Sequence, residues 1–459
     1  MGRHTRAKAK RRKVEEAGEE RLDPVTVSRL PDIPDDILRH IFSLLPDGRC
    51  ARDLSRECRR WWCSTPLSLD LLPIQQQHRI SVSEISSILE EHPGPGRRFC
   101  INLARFSASA CEINAGILDV WLQSRALHKL QELKLDLDLG YGQPPPPLPA
   151  SVQRFWSTLR VASFTDCSFP GGNSTSSLQL RLLKQLSLSR VSVSDIDLHA
   201  LLAACPVLQS LLLDCITGCS QVRIESHSLR SIGVGSGHPG DLVLQEFFVK
   251  HAPCLSRLFF LGGELTISVT SETELEILGP LYAGQPHYRP AINFGKTVLQ
   301  GPSIHNLDVK MHSVKILAIK DGNLSLDVVI DIMRCFPFLE KLFIEANGAR
   351  KKNEKFTNTT NIDHLKKIVV RNYRGNNSHV NFAKFFLKYA KGLESMRLEL
   401  EPRIKDLSRE WEEEQHRLLD INNSASRNAR LDFVTATNVT ESLKERVHDL
   451  STADPFGIY

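Results

Sequence analysis

The sequence contains no apolar run of about 18 residues, the length that crosses a bilayer, and its start lacks the apolar stretch of a secretory signal peptide. Phosphate-loop, nucleophile-elbow and zinc-protease motifs are also missing, and the 16 histidines are scattered. We therefore expect an intracellular protein, in the nucleus, the cytoplasm or both, that does not span a membrane. We predict no catalytic residue, no enzyme activity and no cofactor.

Cysteine pairing is not expected, because the 11 cysteines are odd in number and spread along the chain. We interpret them as thiols of a reducing compartment. Cys215, Cys219 and His227 come closest to a metal-ligand spacing, but a second ligand pair is missing. We predict no metal site.

One glycine motif spans residues 235–240 and matches G-x-G-x-x-G after a short apolar strand. That context is typical of dinucleotide-binding proteins. His238 and Pro239 lie within the turn, however, and a repeat protein also alternates strand, loop and helix. We interpret the motif as a loop between repeats, with a nucleotide site as the alternative.

Acidic side chains are missing from residues 1–13, which hold seven of the 58 Lys and Arg residues. The rest of the chain has 51 basic against 53 acidic residues, so the net charge of +5 comes from this leader. We expect residues 1–28 to be disordered, basic and then acidic, and we expect no nucleic-acid partner. The leader is a nuclear-import signal or makes a weak polyanion contact, or it is simply solvated. The import candidates are Lys10, Arg11, Arg12 and Lys13.

Residues 30–70 have the pattern of a small helical module. Apolar residues recur at helical spacing until Pro46 and Gly48 end the first helix, and a second helix carries Trp61 and Trp62. So short a segment cannot bury its apolar face alone, which indicates a partner chain. The positions that carry the pattern are Leu30, Pro31, Ile37, Leu38, Ile41, Leu44 and Leu45.

This Leu-Pro, helix, Leu-Pro order followed by a tryptophan resembles the F-box. The resemblance implies that these seven positions belong to the surface that binds a Skp-type adaptor and, through it, a cullin-RING ubiquitin ligase. Some of the seven must instead hold the module's own core, and the sequence does not separate the two groups. Between Pro46 and the tryptophans the chain is shorter and more charged than in the family. The alternative is a helical hairpin that only caps the following domain.

From about residue 99 to 400 the spacing apolar-x-x-apolar-x-apolar returns every 21 to 28 residues, as at Leu183/Leu186/Leu188. This is the period of leucine-rich repeats. We assign another copy to Trp156/Leu159/Val161 and expect helices before the strands, marked by Leu201, Phe248, Ile332 and Phe386. The predicted fold class is α+β, in which the small all-α module precedes an α/β solenoid shaped as an irregular horseshoe.

Three apolar residues, Leu212, Phe259 and Phe343, occupy strand positions that we expect to face the concave, solvent side. They are candidates for a substrate-binding patch. The alternative is that a neighbouring loop folds over them.

The end of the repeats, residues 339–400, resembles the FBD segment of plant F-box/leucine-rich-repeat proteins, and residues 401–459, an expected helix and closing segment, resemble the ending of grass members. The combined resemblance implies a substrate-recognition subunit of a Skp–cullin–F-box ubiquitin ligase, whose repeats bind an unknown protein for ubiquitination. The alternative is a leucine-rich-repeat interaction scaffold outside any ligase.

Overall fold

The computed structural model describes eighteen segments of the chain. They are residues 34–38, 61–71, 81–103, 115–137, 144–169, 178–237, 243–269, 273–283, 291–295, 297–300, 303–305, 310–321, 324–346, 362–401, 408–421, 424–426, 429–435 and 443–456. Within these segments, no helix combines the length and the apolar character that a bilayer crossing requires.

Short strands are the most frequent regular elements in the described residues. In chain order they are β1 (Leu67–Asp70), β2 (Gly96–Asn102), β3 (Glu132–Asp136), β4 (Val161–Thr165), β5 (Gln185–Ser189), β6 (Ser210–Asp214), β7 (Gln221–Glu225), β8 (Ser231–Gly235), β9 (Glu246–His251), β10 (Arg257–Gly262), β11 (Thr266–Val269), β12 (Ile277–Ala283), β13 (Ala291–Phe294), β14 (Thr297–Gln300), β15 (Ser303–His305), β16 (Ile316–Asp321), β17 (Lys341–Ala346), β18 (Lys367–Tyr373), β19 (Ser395–Leu400) and β20 (Arg430–Thr435).

Two sheets contain these strands. The long sheet has 14 strands in the order β1-β2-β3-β4-β5-β6-β8-β10-β12-β16-β17-β18-β19-β20. Every pair of neighbouring strands in this sheet is parallel. The short sheet has six strands in the order β15-β14-β13-β11-β9-β7 and turns antiparallel at β14. A parallel sheet that adds one strand per repeat is the architecture of a solenoid.

In the described part of the chain, residues 35–38 and 61–64 are helical, and seven longer helices with defined bounds accompany the strands. They are α1 (Val82–Glu91), α2 (Ala115–Gln123), α3 (Asp195–Ala203), α4 (Leu326–Arg334), α5 (Asn377–Tyr389), α6 (Arg409–Leu419) and α7 (Leu443–His448), with 3-10 turns at Arg125–Leu127 and Ala150–Phe155. Ser194, Asn376 and Ser408 cap α3, α5 and α6, because each side chain accepts a backbone N–H of the first turn.

Alternate residues of the long sheet face opposite sides, as the extended backbone requires. Leu211 and Leu213 pack in the main core beneath the helices, whereas Leu212 between them belongs to a separate cluster on the other side. We call that other side, which no helix of the repeats covers, the inner face. The predicted α/β leucine-rich-repeat solenoid is confirmed.

Two details of the predicted repeats are wrong. The copy at Trp156/Leu159/Val161 lies three residues too early, because β4 buries Ala162 and Phe164 and Trp156 lies in the turn before it. Phe248 is not helical: it lies in β9, where Phe247 and Val249 point into the core with the alternation of a strand.

The sheet is also longer than the predicted array of residues 99–400. It begins at Leu67 in β1, inside the range assigned to the helical module, and continues to β20. These outer strands escape the repeat pattern because β1 supplies only the alternating pair Leu67 and Leu69, and β20 is half-exposed.

Candidate functional site

One row of side chains crosses the inner face at the middle of the strands. The register pairs Ser187 with Leu212, Leu212 with Gly233, and Gly233 with Phe259. Further along the sheet, Phe343 is paired with Val369. The sequence analysis therefore placed Leu212, Phe259 and Phe343 on the correct face and in the same row.

The chain itself covers this row. Residues 443–456, here called the C-terminal segment, lie across the inner face and contribute Val447 and Phe456 to a cluster with the three predicted side chains. Phe259 is 0% exposed and Phe343 is 3% exposed. The expectation of an exposed apolar patch is wrong for Leu212, Phe259 and Phe343, because their apolar surface is removed from water. They are covered, as the alternative supposed, but by the C-terminal segment and not by a neighbouring loop.

Helix α7 packs where the row has no side chain. A Cβ atom added to Gly233 would lie 2.5 Å from Cγ2 of Val447, so only glycine leaves room for the buried Val447. On the same helix, the Lys444 ammonium lies 2.5 Å from the Asp214 carboxylate and donates to the Ser189 hydroxyl. One apolar contact and one ion pair thus hold the helix against β5, β6 and β8.

The last residue of α7, His448, contacts a polar partner and lies where a positive charge on its imidazole is disfavoured. Its Nδ1 lies 2.8 Å from the Ser210 hydroxyl, and its backbone oxygen accepts from the Gln185 side chain. Burial, together with the smaller effect of the positive charge of Lys134, lowers the pKa of His448 to about 4. The imidazole is therefore neutral in the docked segment at neutral pH.

Arg257 of β10 binds the turn that follows α7. Its guanidinium donates to the backbone oxygens of Asp449, Leu450 and Thr452 at 2.7, 3.2 and 2.6 Å. The side chain is buried, and desolvation lowers its pKa while the charge of Asp449 opposes this shift. A planar guanidinium presents several N–H groups at once, which suits three carbonyls that converge on one point.

The end of the C-terminal segment is held by charge and by aromatic contact. Asp454 is buried, and its Oδ2 lies 3.2 Å from Nζ of Lys367 and 3.8 Å from Nζ of Lys341. The Phe456 ring meets Phe259 edge-on at 5.7 Å between centroids, and Phe343 lies 5.8 Å away on the other side.

Sequence reasoning found the apolar row but missed the polar residues around it. Three of these polar residues lie two residues before a residue of the row and on the same face of the sheet: Arg257, Lys341 and Lys367. In the sequence, charged residues at such positions are expected to be solvated. The sequence did offer one signal for a polar contact: Arg257 is a charged residue within the apolar repeat Leu255/Leu258/Phe260. We call the surface that holds the C-terminal segment the inner site. It consists of Asp214, Gly233, Arg257, Phe259, Lys341, Phe343 and Lys367.

The predicted adaptor-binding module is described only in part. Ile37 is 48% exposed, whereas Leu38 is 1% exposed and packs in the main core, so Leu38 is one of the positions that hold the core and does not face a partner. The Trp61 indole N–H donates to the Asp35 carboxylate at 3.1 Å and ties the two described pieces together. The other predicted positions, Leu30, Pro31, Ile41, Leu44 and Leu45, lie outside the described residues.

Trp62 fixes this part of the chain to the first repeat. Its ring packs edge-on against His92, 4.8 Å between centroids, and its backbone oxygen lies 3.1 Å from His92 Nε2. Burial lowers the pKa of His92, which favours the neutral ring here.

The predicted import signal, Lys10 to Lys13, lies outside the described residues. Cys219 donates its thiol to Asp195 and Cys215 donates to Asp214, so the two thiols point to different partners. Over the described segments, no group of three or more His, Cys, Asp or Glu side chains could hold a metal ion.

The glycine motif has a packing role at its first residue. A Cβ atom added to Gly235 would lie 2.7 Å from the Asp214 carboxylate and 2.9 Å from the Leu261 side chain. The backbone there is thus enclosed by neighbouring strands. Residues 238–240 of the motif lie outside the described residues.

The repeated strands, the leucine core and the inner face define a leucine-rich-repeat protein. Residues 118–344 match the leucine-rich repeats of FBD-associated F-box protein At5g56370, and residues 361–398 match the FBD domain. The chain belongs to this FBD-associated F-box/leucine-rich-repeat family. Neither matched range includes residues 30–70.

Two curated relatives come from Arabidopsis thaliana. They are F-box/LRR-repeat proteins At3g28410 and At5g02700, which are 26% and 27% identical to this chain over 184 residues. Each match covers 40% of this chain and 37% of the relative, so the matched region is little more than a third of either relative.

Proposed function

We propose that this protein is the non-catalytic substrate-recognition subunit of a Skp–cullin–F-box ubiquitin ligase. The observation that carries the proposal is the position of residues 34–38 beside Trp61 at the first strand of the solenoid, with Ile37 exposed. An apolar side chain presented there suits a partner chain. Membership of an F-box family supports the same role.

The mechanism is proximity. Residues 30–70 hold the Skp-type adaptor and the repeats hold the target protein, so lysines of the target reach a high effective concentration near the ubiquitin-charged enzyme. The chain forms and breaks no bond itself. Trp61 precedes β1 at one edge of the long sheet, whereas the inner site lies on strands β6 to β18. This separation supports two different binding partners.

An adaptor pull-down tests the proposal. We expect the full chain to bind a Skp-type adaptor and Ile37→Asp to weaken binding at least about tenfold, because a charge replaces an apolar contact. Leu38 is unsuitable for this test because it belongs to the core.

The matched control is Ile196→Asp on α3. Ile196 is 80% exposed, and the same substitution there introduces the same charge far from residues 34–38. If the wild-type chain fails to bind, the ligase role is wrong and a leucine-rich-repeat scaffold remains. If the wild type and both variants bind equally, the assignment of Ile37 to the adaptor contact is wrong.

We further propose that Lys10, Arg11, Arg12 and Lys13 direct nuclear import. The seven Lys and Arg residues within residues 1–13, a stretch that contains no acidic residue, support this assignment. A fluorescent fusion of the full chain should concentrate in the nucleus, and replacement of the four residues by alanine should abolish the concentration. An unchanged distribution would contradict the import role.

A further inference from the structure

The C-terminal segment lies on the inner face in the manner of a bound peptide. Its apolar contacts, Val447 and Phe456, form a cluster separate from the main core that holds the repeats together. The bonds at its turn run from Arg257 side-chain donors to main-chain oxygens of the segment. Arg371 likewise donates to the backbone oxygen of Phe456.

Recognition of main-chain oxygens does not depend on sequence. Any segment that makes the same turn presents three carbonyls to Arg257. Arg257 therefore recognises the backbone conformation of a bound segment, and recognition of the backbone is typical of peptide-binding surfaces.

Three other contacts depend on the side chain. Asp214 forms an ion pair with the ammonium of Lys444 at one end of the segment. At the other end, Lys341 and Lys367 take the carboxylate of Asp454. Two residues after that carboxylate, the ring of Phe456 enters between Phe259 and Phe343, which gives charge complementarity and an aromatic anchor together.

We propose that the inner site is a peptide-binding site whose outside ligand is a protein segment with an acidic residue two positions before an aromatic one, and that residues 443–456 occupy the site in its absence. This inference rests on the proposed function, since it specifies the class of target. The C-terminal segment then competes with the target for the same contacts.

The covalent link gives the segment a large advantage in this competition. Thr435 ends β20 on the sheet, and residues 436–442 join it to α7. A short link of this kind corresponds to an effective concentration of about millimolar. A target must therefore bind more tightly than an isolated copy of the segment, or arrive at the site with additional contacts.

The experiment uses the full chain with a protease site inserted in residues 436–442, folded first and cut afterwards. The probe is a fluorescent synthetic peptide with the sequence of residues 443–456. We expect the peptide to exchange into the cut chain, and to bind the uncut chain about 100-fold more weakly because the tethered copy competes.

Two further peptides define the ligand chemistry. One keeps only Lys444, Val447, the backbone turn from Asp449 to Thr452, Asp454 and Phe456, with the other positions changed, and we expect it to bind the cut chain within about threefold of the parent. The other carries Asp454→Lys and Phe456→Ala and should bind at least tenfold more weakly. Equal binding of the two peptides would overturn the assigned chemistry.

A cut chain that unfolds, or that keeps its own segment against excess peptide, would overturn the proposal, because the segment would then be a permanent part of the fold. An uncut Phe456→Ala variant provides a second measurement. Its weakened tethered copy should raise binding of the wild-type peptide at least tenfold, and no gain would contradict exchange. None of these outcomes depends on adaptor binding, which the Ile37→Asp pull-down tests separately.

Discussion

Gly233 of β8 and Val447 of α7 pack directly against each other, although they are far apart in the chain. The absence of a side chain at Gly233 leaves the space that Val447 fills, and an added Cβ atom would lie 2.5 Å from Cγ2 of the valine. This pair makes the docking of the C-terminal segment sensitive to a single methyl group.

The first prediction follows from that contact. Gly233→Ala should displace α7 and cost about 1–3 kcal/mol, because the strand backbone cannot move away without breaking its pairs. Limited proteolysis should cut the variant near residues 443–456 first. The double variant Gly233→Ala/Val447→Ala restores space and should recover part of the protection, and equal cleavage of both variants would contradict the steric argument.

The second prediction concerns the guanidinium at the turn. Arg257→Lys keeps the charge but cannot reach three carbonyls, so we expect a loss of about 2–3 kcal/mol in unfolding free energy or in protection of the segment. Denaturant unfolding and hydrogen exchange measure the two. Arg230→Lys is the matched control, because that side chain is exposed. An equal loss in both variants would rule out a specific role for Arg257.

The third prediction concerns pH. His448 has a pKa of about 4 in the folded protein against an ordinary 6.5, so the unfolded or undocked state binds the proton first. Its contribution to stability is therefore present above pH 6.5 and is lost as the pH falls toward 4. The protection of residues 443–456 against hydrogen exchange, taken relative to the intrinsic exchange rate at each pH, should fall across this range.

A second histidine separates this local effect from a global one. Burial and the charge of Arg374 lower the pKa of His379 on α5 to about 4, with the same sign of pH dependence. His448→Gln should flatten the pH dependence of exchange in the C-terminal segment, and His379→Gln should leave it steep. A segment whose exchange stays steep in the His448 variant would show that another group is responsible.

The fourth prediction concerns the link between residues 34–38 and the solenoid. Trp61→Phe removes the indole N–H that donates to Asp35 and should cost about 1 kcal/mol in local stability. Hydrogen exchange of residues 34–38 should rise while that of the repeats stays constant. Asp35→Asn keeps an acceptor and is expected to lie between the wild type and the Trp61 variant, so a larger effect of Asp35→Asn would contradict the assignment.

The fifth prediction concerns the far end of the sheet. The Tyr373 hydroxyl donates to Gln415 of α6 at 2.9 Å, both residues are buried, and burial raises the pKa of the phenol. Tyr373→Phe leaves the glutamine oxygen without this donor and should lower the unfolding free energy by about 1–3 kcal/mol. Tyr389→Phe, at a side chain 47% exposed, should change it little. Similar thermal denaturation of the two variants would argue against the buried bond.

The solenoid could be predicted because its signal is local. Leu186 and Leu188 on one strand, and Leu211 and Leu213 on the next, repeat both the alternation and the spacing of a buried strand. The same reasoning failed at Phe248, where an apolar residue at the expected distance belongs to a strand of the short sheet. A short apolar run does not distinguish the two structures by its period alone.

The sequence by itself determined the repeat class, the face of Leu212, Phe259 and Phe343, and the helix α6 that follows β19. Only the tertiary structure decided that these three side chains are covered and that Leu38 is core. The physical reason is distance along the chain: Ser210 and His448 bond across 238 residues, and no local pattern of spacing or charge encodes such a contact. The contact exists because the folded sheet brings the apolar row of the inner face within reach of the C-terminal segment.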